Sequence, residues 1–177
     1  STLRRISLVN QQEDVLATGL PFLDSLALNS QVVLWASSFG ELLAIPIEGG
    51  SPTLLASGPY AIPALDGTDV FFASNTGVHS VPVGGGTATL LTSLLNVGKR
   101  EIALDSSYLY LLTIPSMPTN GELLRIPKTG AAPVALAANQ YQPGEPDNGN
   151  TIALDATHIY WAREDSYIMR LPKQGGQ

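Results

Sequence analysis

The chain has 177 residues, enough for one domain with a sizeable core, and its lack of cysteine excludes disulfides, thiol catalysis and thiolate metal sites. A net charge of −6 with only 14% charged residues excludes a nucleic-acid groove, which needs a basic stripe to release counterions. No run of about 18 apolar residues occurs, so no membrane span is expected, and 17 glycines with 13 prolines read as short strands joined by many turns.

In chain order, Thr2-Leu3-Arg4-Arg5-Ile6 and Asp14 to Thr18 read as two short strands within a partial unit over residues 1–20. Three fuller units follow, at about 25–57, 63–92 and 101–137, and a partial unit closes the chain at 151–177. The last is the clearest copy. Ile152-Ala153-Leu154 ends at Asp155, and Ala156-Thr157 make a turn. His158-Ile159-Tyr160-Trp161-Ala162 has the aromatic and β-branched content of a strand. After a polar turn, Tyr167-Ile168-Met169-Arg170-Leu171 makes a third strand that ends at Pro172, before Lys173-Gln174-Gly175-Gly176.

The same marks recur upstream. First strands end at Asn29, Asp66, Asp105 and Asp155, and third strands end Ile45-Pro46, Val81-Pro82, Ile126-Pro127 and Leu171-Pro172, with Ile6-Ser7 as a degenerate copy. A fourth apolar strand follows each glycine-rich turn except the last. Asn29, Asp66, Asp105 and Asp155 are spaced by 37, 39 and 50 residues. A four-stranded unit of about forty residues is the signature of a propeller blade. The chain is therefore expected to be an all-β propeller of four-stranded antiparallel blades, with about four blade equivalents, starting and ending in mid-blade. The tally of four first, four second, five third and four fourth strands leaves three arrangements open. The chain is part of a larger ring, or half of a ring closed by a second chain, or a four-bladed ring with one displaced strand.

Ile152-Ala153-Leu154-Asp155 followed by Ile159-Tyr160-Trp161 resembles the YWTD class of propeller repeats found in lipoprotein-receptor ectodomains. It also resembles the degenerate repeats of secreted bacterial propellers. Ala162-Arg163 stand where the YWTD pattern has Thr-Asp. The resemblance implies a propeller fold.

Second strands are apolar at consecutive positions, as expected where a sheet is covered on both faces. Trp35, Phe71, Phe72, Tyr110, Tyr160 and Trp161 are accordingly read as wedges between blades. Asn29, Asp66, Asp105 and Asp155 are read as Asx-turn acceptors, and Arg5, Arg125 and Arg170 as solvated strand faces.

Two long loops, 113–121 and 138–150, share the face opposite the tight turns, where binding function usually concentrates. The leading expectation is a non-catalytic module that recognises a protein or carbohydrate through this face, using Met117, Asn120, Tyr141, Gln142, Glu145 and Asp147. Glu145, Asp147, Asn148 and Asn150 are weak oxygen ligands for a calcium ion; no other cofactor is expected. One alternative is a lyase or hydrolase with its site in the axial channel. No catalytic motif supports it, and the two histidines, His79 and His158, share none. The other is a structural segment that assembles with another chain. The chain lacks an initial Met and a visible signal peptide, so it reads as a processed or excised piece. Few lysines and a pI near 4.7 point to an extracytoplasmic protein.

Overall fold

The structure, a computed structural model, describes residues 1–58, 63–94, 102–113, 121–141, 152–162 and 167–175. An opening sheet pairs β1 (Leu3–Ile6) with β2 (Glu13–Ala17). Blade one is β3 (Leu23–Leu28), β4 (Val32–Ser37), β5 (Glu41–Pro46) and β6 (Thr53–Ser57). Blade two is β7 (Ala64–Asp66), β8 (Asp69–Ser74), β9 (Gly77–Pro82) and β10 (Thr89–Thr92). Blade three is β11 (Ile102–Leu104), β12 (Tyr108–Leu112), β13 (Gly121–Pro127) and β14 (Val134–Tyr141). The last blade has three strands, β15 (Ile152–Leu154), β16 (His158–Ala162) and β17 (Ile168–Pro172). Each sheet is an antiparallel meander, and the chain is an all-β propeller.

One register runs through the blades. Leu34 pairs with Ala44, Phe71 with Ser80, Tyr110 with Arg125, and Tyr160 with Arg170. Each third strand ends on its proline, which has no N–H to give a ladder. Three residues later a glycine with φ between 80° and 91° donates its N–H back to the proline carbonyl, at Gly49, Gly85, Gly130 and Gly175. The residue after each proline ties this turn to the preceding one. Ile47, Val83, Lys128 and Lys173 donate to the carbonyls of Gln31, Thr68, Ser107 and Thr157. Gly77 has a separate constraint: a Cβ there would lie 2.0 Å from the Thr92 carbonyl oxygen.

The core lies between the sheets. Leu3 and Leu16 of the opening sheet meet Val33, Trp35 and Ile45 of blade one. Leu34, Leu42 and Ala44 meet Val70, Phe72 and Val81. Phe71, Ala73 and Val78 meet Leu109, Leu111 and Ile126. Tyr110, Leu112 and Leu123 meet Ile152, Ile159 and Trp161. The consecutive apolar residues of second strands are thereby explained: Phe71 fills one interface and Phe72 the next. Fully burying each such side chain is worth about 1.5–3 kcal/mol. Among the described residues, no apolar cluster joins the last blade to the opening sheet.

Four sequence expectations need correction. Tyr160 is only partly buried and is no wedge, because it sits on the outer face of the last blade. Asp66 makes no Asx turn with a described amide. It closes a two-residue hairpin, pairing with Asp69 across Gly67-Thr68, and its carboxylate bonds Lys128 instead. Arg5 and Arg125 are not solvated strand faces. Each reaches the next blade, donating to the Ile47 carbonyl at 3.1 Å and the Lys173 carbonyl at 2.8 Å. Finally, Ala138 to Tyr141 belong to β14 rather than to a loop. A bulge with Asn139 at φ 59° turns Gln140 inward, where its Oε1 accepts from the Trp161 indole at 3.2 Å.

Candidate functional site

The face of tight turns carries a repeated electrostatic clasp. Asn29, Asp105 and Asp155 make the expected Asx turns: Oδ1 of each accepts from the backbone N–H groups two and three residues on, at 2.6–3.0 Å. The rest of each side chain, or of its counterpart, is free to reach sideways. Asn29 Nδ2 donates to the Gly67 carbonyl of blade two at 3.2 Å. Asp66 of blade two pairs with Lys128 of blade three, and Asp105 of blade three pairs with Lys173 of the last blade at 3.2 Å. Both lysines directly follow the strand-ending proline. Their ammonium groups also approach aromatic faces, Lys128 over Phe71 at 5.4 Å and Lys173 over Tyr110 at 5.9 Å.

Between blade three and the last blade these groups line a groove of about 860 Å³, with Tyr108, Arg125, Thr157 and His158 beside them. The Tyr110 hydroxyl donates to Asp105 at 2.9 Å, and the Arg125 guanidinium lies 4.8 Å over the Tyr108 ring. Burial pushes the Asp105 carboxyl up. The amides of Ser107 and Tyr108, the Tyr110 hydroxyl and Lys173 outweigh it, so the group ends below the ordinary carboxylate range. Burial and then Asp105 hold the Tyr110 phenol well above its ordinary value, so it remains a donor. The carboxylate, the lysine and the tyrosine are thus committed to one another. The groove is a joint between blades whose charged groups pair with one another; beside them Thr157 Oγ1 lies 2.7 Å from His158 Nδ1 and 3.1 Å from Asp155 Oδ1.

A second hydroxyl–imidazole contact is on β9. His79 Nε2 lies 3.0 Å from both Ser74 Oγ and Thr76 Oγ1, and the ring stacks on Phe72 at 5.2 Å. Burial lowers its pKa, which keeps it neutral. Among the described residues no carboxylate bonds its other nitrogen, and the arrangement braces the β8–β9 hairpin. Among the described residues, too, no three His, Asp or Glu side chains gather as a cation would require. No helix of the structure is long and apolar enough to cross a membrane.

Of the loop-face residues expected from the sequence, Met117, Asn120, Gln142, Glu145, Asp147, Asn148 and Asn150 lie outside the described residues. Tyr141 is the last residue of β14. What the described part of that face does show is an apolar pair that sequence reasoning missed. Phe22 is 70% exposed just before β3, and Phe39 is 74% exposed in the turn between β4 and β5. The Ser38 N–H donates to the Phe22 carbonyl at 3.0 Å, which holds the two segments side by side. A signal was available: Ser37-Ser38-Phe39-Gly40 places a large aromatic in a tight turn, where small polar residues are the rule.

No family model matches the chain, and no curated protein matches it. Solved structures do. BamB from Moraxella catarrhalis superposes with a TM-score of 0.65 at 16% identity, over 99% of this chain and 53% of that one. The computationally designed Ika4 protein gives 0.64 at 13% identity, over 89% of this chain and 94% of that one. A chain of the nidogen–laminin complex gives 0.62 at 16% identity, over 97% of this chain and 86% of that one. At these identities the likeness is one of fold, and it agrees with the blade pattern read from the strands.

Proposed function

We propose that the chain is a non-catalytic propeller module that binds a protein partner through its loop-rich face. The observation that carries this reading is the exposed Phe22–Phe39 pair, on the face that chain connectivity also assigns to the two long loops. Two large apolar side chains held open by a rigid sheet are costly to leave in water and fit the anchor of an interface. Phenylalanine has no polar tip and Leu23 adjoins the pair, so an apolar protein surface suits it better than a sugar, which needs donors and acceptors beside the ring. Met117, Asn120, Tyr141, Gln142, Glu145 and Asp147 are proposed as the rim around this anchor. The nidogen–laminin neighbour was solved in a complex, which supports the reading by analogy of fold alone. The YWTD-like character of the repeat and an extracytoplasmic location belong to the same proposal.

The test is a binding screen of the labelled chain against arrayed proteins and glycans, repeated with the F22A/F39A double variant. The expected result is a protein ligand whose affinity falls at least about tenfold in the double variant, with unchanged thermal melting. Glycan hits alone would replace the protein reading with the carbohydrate one. Undiminished binding by the double variant would remove the site from Phe22 and Phe39.

A further inference from the structure

The blades share one register, so each position can be compared around the molecule. Two sets of positions are buried in the interior blades and open at the ends. The first set is on the outer face of the last blade. Ile168 is 80% exposed, although its equivalents Leu42, Val78 and Leu123 are fully buried. Tyr160 is partly open where Leu34, Phe71 and Tyr110 are buried. The second set is on the opposite face of the opening sheet. Ile6 is 61% exposed, whereas Ile45, Val81 and Ile126 at the same position are fully buried. Leu8 is 98% exposed, although Ile47 and Val83 at its position pack against the preceding core.

These two faces are the two halves of one kind of interface. At every interior joint the face equivalent to Tyr160–Ile168–Arg170 meets the face equivalent to Ile6 and Leu8. The polar contacts repeat as well. Arg5 donates to the Ile47 carbonyl, and Arg125 donates to the Lys173 carbonyl. Arg170 holds the corresponding place on the last blade, and Leu8 is the residue whose carbonyl corresponds to those of Ile47 and Lys173.

We infer that the outer face of the last blade docks the open face of the opening sheet of a second copy of this chain, head to tail. In that contact Ile168 and Tyr160 cover Ile6 and Leu8, and Arg170 donates to the Leu8 carbonyl. A second copy is the occupant because each chain carries both halves, and because no described residue covers Ile6, Leu8 and Ile168. Stacking as separate sheets also keeps β1 in place, so that no third strand is surplus. The association is heterologous and closes into a ring or continues as a chain according to the rotation between copies. It is independent of the loop-face reading, and the failure of either leaves the other standing.

The test is native mass by light scattering over a concentration series, on the wild type, on I168D, on I6D, and on an equimolar mixture of the two variants. The expected wild-type mass rises to at least twice the chain mass of 18.6 kDa. Each variant alone stays at the chain mass, because it has lost one half of every possible contact. The mixture recovers a one-to-one dimer, because the intact face of each variant meets the intact face of the other. That recovery also shows that both variants are folded. A wild type that remains monomeric throughout would overturn the inference. So would a variant that dimerises alone, which would mean like faces pairing, or a mixture that fails to associate.

Discussion

Blade three and the last blade carry nearly the same residues in two different environments. Asp105 and Asp155 each hold two turn amides and accept from a tyrosine hydroxyl, Tyr110 at 2.9 Å and Tyr160 at 2.7 Å. Arg125 and Arg170 face those tyrosines across the same pair of strands. Yet Tyr110 is 1% exposed and Asp105 is clasped by Lys173, whereas Tyr160 is partly open and Asp155 lacks any described lysine. The local chemistry is set by the repeat. Burial is set by the neighbour that happens to stack on it. A propeller blade is thus half of two interfaces, and its stability contribution cannot be read from its own sequence.

The sharpest way to break the comparison is to truncate the paired tyrosines. Tyr110→Ala empties a filled interface and is expected to cost about 3–5 kcal/mol, while Tyr160→Ala costs a small fraction of that in dilute solution. Chemical denaturation of both variants decides the point, and equal losses would end the distinction. The paired aliphatics sharpen it further. Leu123→Ala is expected to cost about 2–5 kcal/mol, and Ile168→Ala within about 0.5 kcal/mol, read from the same denaturation curves. The clasp is a weaker effect. Lys173→Met removes the cation that faces Asp105 while keeping the stem, and should lower stability by about 1 kcal/mol once solvent screening is allowed for. High salt should shrink that difference; a salt-independent loss would point to packing by the lysine stem instead.

The smallest effect is in pH. The folded Asp105 carboxyl titrates below its unfolded value of about 3.9. It therefore stabilises the protein above that pH, and the contribution is lost as pH falls through the folded pKa. An Asp105→Asn variant should accordingly lose less stability than the wild type between about pH 4 and pH 2. Asp155 shifts in the same direction, chiefly through the Tyr160 hydroxyl and then the amides of Thr157 and His158. Melting temperature against pH checks both, and parallel wild-type and Asp105→Asn curves would show that the carboxylate is not linked to folding.

Much of the architecture was legible in the sequence because its determinants are local. Proline at the end of each third strand, glycine three residues on, and Asn or Asp at the end of each first strand are chemical punctuation that acts within a few residues. The consecutive apolar residues of β8 and β12 announced sheets covered on both faces, as found. What could not be read depends on partners distant in sequence. Tyr160 matches Tyr110 in type and register, and they differ in that no described sheet stacks on Tyr160. Asp66 carries the same residue type as Asp105 before a turn of the same length, but Gly67 takes φ 55° in that turn and the carboxylate bonds Lys128, 62 positions away. Ala138-Asn139-Gln140-Tyr141 reads as loop by composition, and it is a bulged strand because Gln140 finds the Trp161 indole. The loop-face site was legible only as loop length. Phe22 and Phe39 became conspicuous once their exposure was known.

Equivalent positions of the repeat differ because of what covers them. Hydroxyl-radical footprinting of the dilute chain, read by mass spectrometry at single residues, tests it most directly. Oxidation is expected to be faster at Tyr160 and Ile168 than at Tyr110 and Leu123 in the same sample. Protection of Tyr160 equal to that of Tyr110 at high dilution would contradict it, since the last blade would then be covered by the chain itself.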